Sequence, residues 1–207
     1  MISIVDYGAG NLQSVKNAFD FLGARCRLIL TPQEVQNATA IVLPGVGSFG
    51  DAMHKITAAG LDDALRDYLA QDRPLLGICL GLHLLFEESE ESPGVRGLGV
   101  LQGTIRRFDQ TDGLKVPHIG WNSLHLQDQS GVFAGLAQEP FVYFVHSYYL
   151  KASDPSIVSA TATYATTFDA AIKRSNLEAV QFHPEKSGEQ GLKMLQNFIN
   201  RYDKEDS

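Results

Sequence analysis

A cysteine between two glycines is the residue of this chain best placed to act as a nucleophile. Cys79 stands between Gly77 and Gly81, where an apolar segment typical of a buried strand passes into a helix predicted over 82–88. Glycines at such a junction permit a sharp turn that lifts the cysteine side chain clear of the sheet. The helix start favours a thiolate, and its free N–H groups, beginning with that of Leu80, can stabilise an oxyanion. The alternative is a packed core cysteine.

A histidine and a glutamate two residues apart form the second candidate group. His183 and Glu185 share one face if the chain is extended, and Pro184 favours an extended backbone at a strand end. The carboxylate would fix the tautomer of the imidazole, as a base for a nucleophilic thiol requires. On a surface the same residues would be an ordinary ion pair. Because they follow a central strand, where α/β folds build their sites, they are the better candidate base for Cys79.

Two glycine-containing loops follow predicted strands, and one of them fits a ligand site. Gly45 and Gly47 flank Val46 at a strand end, where glycines let the backbone approach a ligand or turn N–H groups toward it. Gly8 and Gly10 lack the third glycine of a dinucleotide loop, and the second strand lacks the acidic residue that would bind a ribose. The histidines show no pair at metal-ligand spacing on a clear helix, and no cysteine pair occurs. We therefore expect neither a cofactor nor a metal.

Charge and composition limit the class of protein. A length of 207 residues fits one domain over 1–207. The formal net charge of -7 argues against a broad surface for nucleic acid or anionic membranes. The N-terminal segment lacks the pattern of an export signal, and no apolar run approaches the ~20 residues of a membrane span. We expect a cytoplasmic protein with both cysteines, Cys26 and Cys79, reduced.

Short β-branched runs alternate with helical patterns in the first half of the chain. Strands are predicted over 2–7, 25–30, 40–43 and 75–78, and helices over 11–22 and 61–70. A further helix is predicted to start at Thr31, as its N-cap, with Pro32 at its first position. The second half is predicted to close with a helix over 188–202, after strands at 98–108, 115–119, 141–150, 157–164, 170–173 and 178–182. This order predicts an α/β fold, a three-layer sandwich whose central, mostly parallel sheet has an antiparallel extension.

Seven segments distributed over the chain resemble one family. They lie at 6–12, 44–50, 77–81, 86–91, 117–122, 143–148 and 181–187. Together they are similar to the class I, or triad, glutamine amidotransferases. Segments 120–122 and 144–148 favour one group within that family, the glutaminase subunits of imidazole glycerol phosphate synthases.

The resemblance implies a mechanism and a set of roles. Cys79 would attack the carboxamide carbon of glutamine, His183 would pass the thiol proton to the departing ammonia, and Glu185 would orient His183. Backbone N–H groups of Leu80 and of the loop at 46–47 would stabilise the oxyanion. By similarity, the residues that bind glutamine are Gly45, Val46, Gly47, Leu80, His83, Glu91, Ser147 and Tyr148.

The resemblance also implies a partner. Ammonia would pass to a (βα)8-barrel cyclase subunit that forms imidazole glycerol phosphate in histidine biosynthesis, so a heterodimer is expected. Asn11, Trp121 and Lys186 lie in segments that face this partner in the family.

One position departs from the family pattern. His83 occupies the place four residues after the nucleophile where the family usually has Gln. One helical turn along, it faces the same side as Cys79, and a neutral imidazole can both donate and accept as an amide does. With an ordinary pKa of about 6.5, His83 would lose its acceptor below that pH, and activity would fall with it.

Three other functions fit parts of the pattern. The chain could serve an amidotransferase with another acceptor, although segment 120–122 argues against this. It could be a non-catalytic binding subunit, for which His83 is the only hint, or a cysteine hydrolase that acts alone on γ-glutamyl substrates. Activity with and without a cyclase partner separates these alternatives.

Overall fold

Runs of Ile, Val and Leu form the strands at the centre of the protein because they can be covered on both faces. The structure, a computed structural model, describes residues 1–8, 10–110 and 113–203. Its strands are β1 (Ile2–Val5), β2 (Cys26–Ile29), β3 (Ala40–Leu43), β4 (Leu75–Ile78), β5 (Glu88–Ser89), β6 (Gly103–Arg107), β7 (His118–Ser123), β8 (His125–Leu126), β9 (Phe141–His146), β10 (Tyr148–Ala152), β11 (Val158–Thr163), β12 (Thr167–Arg174) and β13 (Leu177–Val180).

The helices lie mainly in the first half of the chain and at its end. They are α1 (Leu12–Phe21), α2 (Pro32–Asn37), α3 (Phe49–Ala58), α4 (Leu61–Ala70), α5 (Leu80–Leu84) and α6 (Gly188–Tyr202). Short 3-10 turns occur at Gly131–Phe133, Pro155–Ile157 and Pro184–Lys186. Within the described ranges, no helix has both the length and the apolar character needed to cross a membrane.

One large sheet organises the described residues. Its strands run in the order β2-β1-β3-β4-β13-β12-β10-β6-β5, with β11 on β12 and β8 on β11. The first five strands of this order are parallel neighbours. From β12 onward the pairs are antiparallel, apart from β5 with β6. β7 and β9 form a separate antiparallel pair. The predicted parallel sheet with an antiparallel extension is confirmed.

Two groups of buried side chains cover the two faces of the sheet. Val35 of α2, Met53 of α3 and Leu65 of α4 belong to one group. Phe19 of α1 and Leu195 of α6 belong to the other. Helices therefore lie on both faces of the sheet, which is the three-layer arrangement predicted for the α/β class.

Two predicted element bounds are wrong for the same reason. The helix predicted over 82–88 ends at Leu84, and the strand predicted over 98–108 begins only at Gly103. The backbone N–H groups of Leu98 and Val100 donate to the carbonyls of Leu84 and Leu85, at 2.8 and 3.0 Å. This loop takes the carbonyls that further helical turns would have used. Both elements are shortened by that contact.

Two further differences concern neighbouring residues. The strand predicted over 141–150 is divided into β9 and β10 at Ser147. Helix α3 was not predicted, although Ser48 is a helix-capping residue and its side chain accepts from the backbone N–H of Asp51. Phe49 and Met53 of α3 are buried, at the spacing of one helix face. That spacing was a usable signal for the helix.

Helix α6 packs closely on the 3-10 turn that precedes it, and Gly191 makes this contact possible. A Cβ at Gly191 would overlap the backbone oxygen of Pro184. We predict that Gly191→Ala lowers the free energy of unfolding by about 2 kcal/mol, because overpacking costs more than the roughly 1 kcal/mol gained in helix propensity. Urea unfolding measures the change. The exposed Lys193→Ala on the same helix should change it by less than about 0.5 kcal/mol. Equal effects of the two substitutions would contradict the prediction.

Candidate active site

Cys79 occupies a strained turn between β4 and α5. Its backbone has φ 53 and ψ -108, a conformation rare for residues other than glycine. A Cβ at Gly77 would lie 2.9 Å from the Cβ of Ala179, and a Cβ at Gly81 would overlap the carbonyl oxygen of Leu43. Both flanking glycines are thus required by close packing. The turn places the cysteine side chain at the carboxyl end of the central strand.

The partner strand brings the candidate base to the same edge of the sheet. β13 pairs in parallel with β4, with Val180 opposite Ile78. The backbone N–H of Cys79 continues this pairing by donating to the carbonyl of Val180 at 2.8 Å. His183 follows three residues after Val180 and lines the same pocket as Cys79. The pairing therefore brings together two residues that are distant in sequence.

The predicted pairing of His183 with Glu185 is present, but the predicted extended backbone is wrong. Residues Pro184–Lys186 form a 3-10 turn. The N–H of Lys186 and the hydroxyl of Ser187 both donate to the carbonyl of His183, at 3.0 and 2.6 Å, and so curl the chain. This curl returns Oε1 of Glu185 to 2.8 Å from Nδ1 of His183. Proline fixes only φ, so Pro184 is compatible with the turn.

The hydrogen bond to Glu185 fixes the tautomer of His183. A carboxylate can only accept, so Nδ1 of His183 carries a proton and Nε2 is free to take one. The two side chains are 1% and 0% exposed. Nε2 of His183 is buried and has no hydrogen-bond partner within the described part of the chain, so it is available to accept the thiol proton of Cys79.

The charge balance of this group favours a protonated imidazole. Burial by itself would lower the pKa of His183, but its interactions with Cys79 and Glu185 outweigh burial and raise the pKa to about 10. A histidine with this pKa stays charged at neutral pH. It can therefore hold the proton taken from Cys79 while the thiolate attacks.

The pocket above Cys79 has a volume of about 320 Å³. Besides Cys79 and His183, the predicted substrate residues that line it are Val46, Gly47, Leu80, His83, Glu91, Ser147 and Tyr148. Gly45 is not part of the lining. A Cβ at Gly45 would overlap the hydroxyl of Tyr7, which donates to the carbonyl of Pro44 at 3.0 Å. The absence of a side chain at Gly45 thus lets this loop pack closely against Tyr7 and Leu80.

Glu91 has two roles in this geometry. It lines the pocket, and its Oε2 accepts from the backbone N–H of Phe49, the first residue of α3, at 2.8 Å. The next helical N–H, that of Gly50, donates to Oγ of Ser92 at 3.0 Å. The acidic run therefore caps a helix and also presents a carboxylate to the pocket, where it can meet an ammonium group.

His83 lines the pocket as predicted, but its charge behaviour differs from the prediction. Its Nε2 lies 2.7 Å from Oε1 of Gln181, and because an amide oxygen only accepts, Nε2 carries the proton. Burial, which outweighs this hydrogen bond, lowers the pKa of His83 to about 4. The expected loss of an acceptor near pH 6.5 is therefore wrong, since His83 stays neutral well below that pH.

Sequence reasoning missed Gln181 and a pair of buried histidines. Nε2 of Gln181 donates to Sγ of Cys79 at 3.9 Å. His118 and His146 stand opposite each other on β7 and β9, with Nδ1 of His118 3.0 Å from Nε2 of His146. Nδ1 of His146 donates to the carbonyl of Tyr148 at 2.8 Å, so its Nε2 accepts from His118. Both histidines lie in segments that resemble the family, 117–122 and 143–148, and this was the signal by which the sequence could have identified them.

The three predicted partner residues lie around the turn that carries Glu185. Nδ2 of Asn11 donates to Oε1 of Glu185 at 2.8 Å. Lys186 is the next residue in the turn, with an exposed side chain. Trp121 is 54% exposed, and a Cβ at Gly188 would lie 3.7 Å from its Cη2 atom. A single face beside the active site thus contains all three.

Comparison with known proteins gives a consistent family match. The family model described as glutamine amidotransferase class-I matches residues 3–201. The chain is 48% identical over 203 residues to the imidazole glycerol phosphate synthase subunit HisH of Syntrophotalea carbinolica, covering 96% of this chain and 98% of that protein. It is 46% identical over 202 residues to imidazole glycerol phosphate synthase hisHF, chloroplastic, of Arabidopsis thaliana, covering 97% of this chain and 34% of that protein.

Solved structures share the fold at low sequence identity. A crystal structure of a glutamine amidotransferase aligns with a TM-score of 0.76 at 18% identity, covering 99% of this chain and 100% of that chain. The structure of PurLQS from Thermotoga maritima aligns with a TM-score of 0.75 at 18% identity, covering 97% of both chains. These similarities establish the fold only.

We predict that three buried, neutral histidines make the protein less stable in acid. Burial lowers the pKa of His83 and of His118 to about 4, and that of His146 well below its usual value. In the unfolded chain each accepts a proton near pH 6.5. Between pH 6.5 and 4 the unfolded state therefore binds more protons, and the free energy of unfolding should fall by up to about 1.4 kcal/mol per pH unit for each histidine.

The predicted acid sensitivity is tested with His83→Gln. This substitution removes one of the three titrating groups and can keep a hydrogen bond to Gln181. Urea unfolding from pH 7 to 4.5 should show a shallower decline for this variant than for the unmodified chain. Parallel declines would contradict the assignment of His83 as a buried, neutral group.

Proposed function

The chain belongs to the class I glutamine amidotransferases and, within them, to the HisH subunits of imidazole glycerol phosphate synthase, and we propose that it hydrolyses glutamine to glutamate and ammonia through a thioester on Cys79. The observation that carries this proposal is the strained turn that presents Cys79 to a pocket shared with His183. Glu185 holds Nδ1 of that histidine at 2.8 Å. A nucleophile, a base and a residue that orients the base are thus joined in one group.

The geometry supports the following sequence of steps. His183 takes the thiol proton, and the thiolate of Cys79 attacks the carboxamide carbon of glutamine. The backbone N–H groups of Leu80 and of the loop at 46–47 stabilise the oxyanion of the tetrahedral intermediate. This intermediate collapses as His183 returns the proton to the departing ammonia, and a thioester remains. Water, deprotonated by His183, then attacks the thioester carbon and releases glutamate, while the proton returns to Cys79.

The pocket offers a place for each end of glutamine. The carboxylate of Glu91 is suited to the α-ammonium group, and the segment of Ser147 and Tyr148 borders the same region. His83 lies one helical turn from Cys79, beside the carboxamide end. Glutamine would therefore bind with its side chain pointing toward the thiol.

We also propose that residues 1–207 act as one cytoplasmic glutaminase domain, whose ammonia passes to a (βα)8-barrel cyclase subunit forming imidazole glycerol phosphate. Two kinds of relative support this partner: bacterial HisH proteins are called subunits, and the Arabidopsis hisHF protein is about three times as long as its matched part. On this chain, the docking face contains Asn11, Trp121 and Lys186. The exposed side chains of Ile119 and Phe141, on β7 and β9, extend its apolar area.

The nucleophile is tested by substitution and by labelling. Cys79→Ser should abolish glutamine hydrolysis in the presence of the cyclase subunit, without loss of folding or partner binding, because a hydroxyl is a far weaker nucleophile at neutral pH. A chloroketone analogue of glutamine should label Cys79 and spare Cys26, whose pKa is raised to about 11, mainly by burial. Mass spectrometry of peptides from the labelled chain measures both sites.

Labelling of Cys26 at the rate of Cys79 would contradict the assignment. Hydrolysis at an equal rate with and without the cyclase subunit would instead favour a hydrolase that acts alone.

The role of His83 is tested by restoring the residue that the family usually has. If His83 contacts glutamine, His83→Gln should lower the KM for glutamine or raise kcat by about tenfold, the size of one hydrogen bond to a charged substrate. Since the pKa of His83 is about 4, the two proteins should have parallel pH profiles above pH 5. Steady-state assays with the cyclase subunit give all three quantities. Equal KM and kcat values would show that His83 only packs against Gln181.

A further inference from the structure

Asn11 stands at the N-terminus of α1 but does not cap that helix. Asparagine at this position ordinarily accepts a hydrogen bond from a backbone N–H in the first turn, which contributes roughly 1 kcal/mol to helix stability. Here its side chain makes no capping bond. Nδ2 of Asn11 instead donates to Oε1 of Glu185 at 2.8 Å, a contact between residues 174 positions apart. The amide is therefore directed to the triad carboxylate rather than to its own helix.

Few hydrogen-bond donors among the described residues reach the carboxylate of Glu185. Its Oε1 accepts from Nδ1 of His183 and from Nδ2 of Asn11, both at 2.8 Å. Its Oε2 is buried and has no partner within the described residues. A buried carboxylate is stabilised only by the donors that reach it. Among the described residues, Asn11 thus supplies the one neutral side-chain donor to this carboxylate.

The backbone around Asn11 is held in a specific conformation. Asn11 has φ 69 and ψ 5, a left-handed conformation that asparagine tolerates better than most residues. A Cβ at Gly10 would lie 3.2 Å from Cγ2 of Val46, so the segment lies against the loop that borders the pocket. Nζ of Lys55 donates to the carbonyl of Gly8 at 3.0 Å. Contacts on both sides therefore fix the position from which Asn11 reaches Glu185.

We propose that Asn11 is a positioning residue of the active site, whose amide holds the carboxylate of Glu185 in the orientation that aligns His183 with Cys79. This inference rests on the proposed function. It goes beyond the expected place of Asn11 on the partner face, because it assigns the residue an effect on reactivity inside this chain. Within the part of the chain that the structure describes, the titratable groups next to Glu185 are His183 and, through it, Cys79, while Lys186 follows with an exposed side chain.

Two substitutions test the proposal. Asn11→Gly removes the amide and suits the left-handed backbone, so the fold should persist. With saturating cyclase subunit, its kcat for glutamine should fall about tenfold, as expected for the loss of one charge-assisted hydrogen bond, while KM changes less than about twofold. In the isolated chain, the pH midpoint for alkylation of Cys79 by iodoacetamide should move to higher pH, because a loosened Glu185 stabilises the imidazolium less.

Asn11→Asp has the same shape but replaces the donor with a carboxylate. Contact between two carboxylates raises the pKa of one of them, and the proton taken up as the pH falls restores a donor to the contact. The kcat of this variant, relative to that of Asn11→Gly, should therefore rise as the pH falls from 8 to 6. Gln13→Ala is the matched control. Gln13 is exposed on the same helix, and its amide donates to Asn17. The control should keep the kcat and the alkylation profile of the unmodified chain.

The results separate the possible roles. If Asn11→Gly matches Gln13→Ala in kcat and in the alkylation profile, the proposal is overturned. A defect that disappears at saturating cyclase subunit would also overturn it, leaving a role in docking only. If Asn11→Gly does not fold, as judged by circular dichroism, Asn11→Asp is compared with the unmodified chain instead. Its relative kcat should rise as the pH falls from 8 to 6, and parallel pH profiles of the two proteins would overturn the proposal. If the unmodified chain does not hydrolyse glutamine, the proposed function fails, and the alkylation profiles still test Asn11.

Discussion

The pairing of β4 with β13 is the interaction on which the rest of the site depends. Parallel strands place their carboxyl ends at one edge, and this pair places Cys79 and His183 there. The register cannot slip easily, because Gly77 lies opposite Ala179 with room for hydrogen alone. A shift by one residue would turn each side chain to the other face. The position of the nucleophile relative to its base is therefore determined by backbone hydrogen bonds and by one close packing contact.

The strain at Cys79 is tolerated because its surroundings are rigid. A residue in an unfavourable backbone conformation costs on the order of 1–3 kcal/mol and persists only where neighbouring structure enforces it. β4 is buried along its length, and Gly81 lies directly against the carbonyl of Leu43. Helix α5, which follows, has only five residues. The dipole of so short a helix is weak. Among the described groups, the charged imidazole of His183 is therefore the main positive charge that stabilises a thiolate on Cys79.

The sequence was sufficient to predict the bounds of those strands and helices whose residue pattern is local. β3, β4, α4 and α6 agree with their predicted bounds because apolar spacing and flanking turn residues define them. The end of α5 depends on donors from the loop at 98–100, and the turn after His183 depends on Ser187. The contact of Asn11 with Glu185 depends on the folding of two distant segments. Such features arise from tertiary hydrogen bonds, which leave no periodic signal in one sequence.

The partners of the buried histidines explain why only one of those described at the pocket is charged. His183 faces a carboxylate, and its pKa is raised to about 10. His83 and His146 donate to an amide oxygen and to a backbone carbonyl, and burial lowers the pKa of both. A neutral acceptor is enough to fix a tautomer but does not offset the loss of hydration of a buried charge. The positive charge of His183 also lowers the pKa of His146. The pocket can therefore place several imidazoles near the thiol while a single one exchanges the proton.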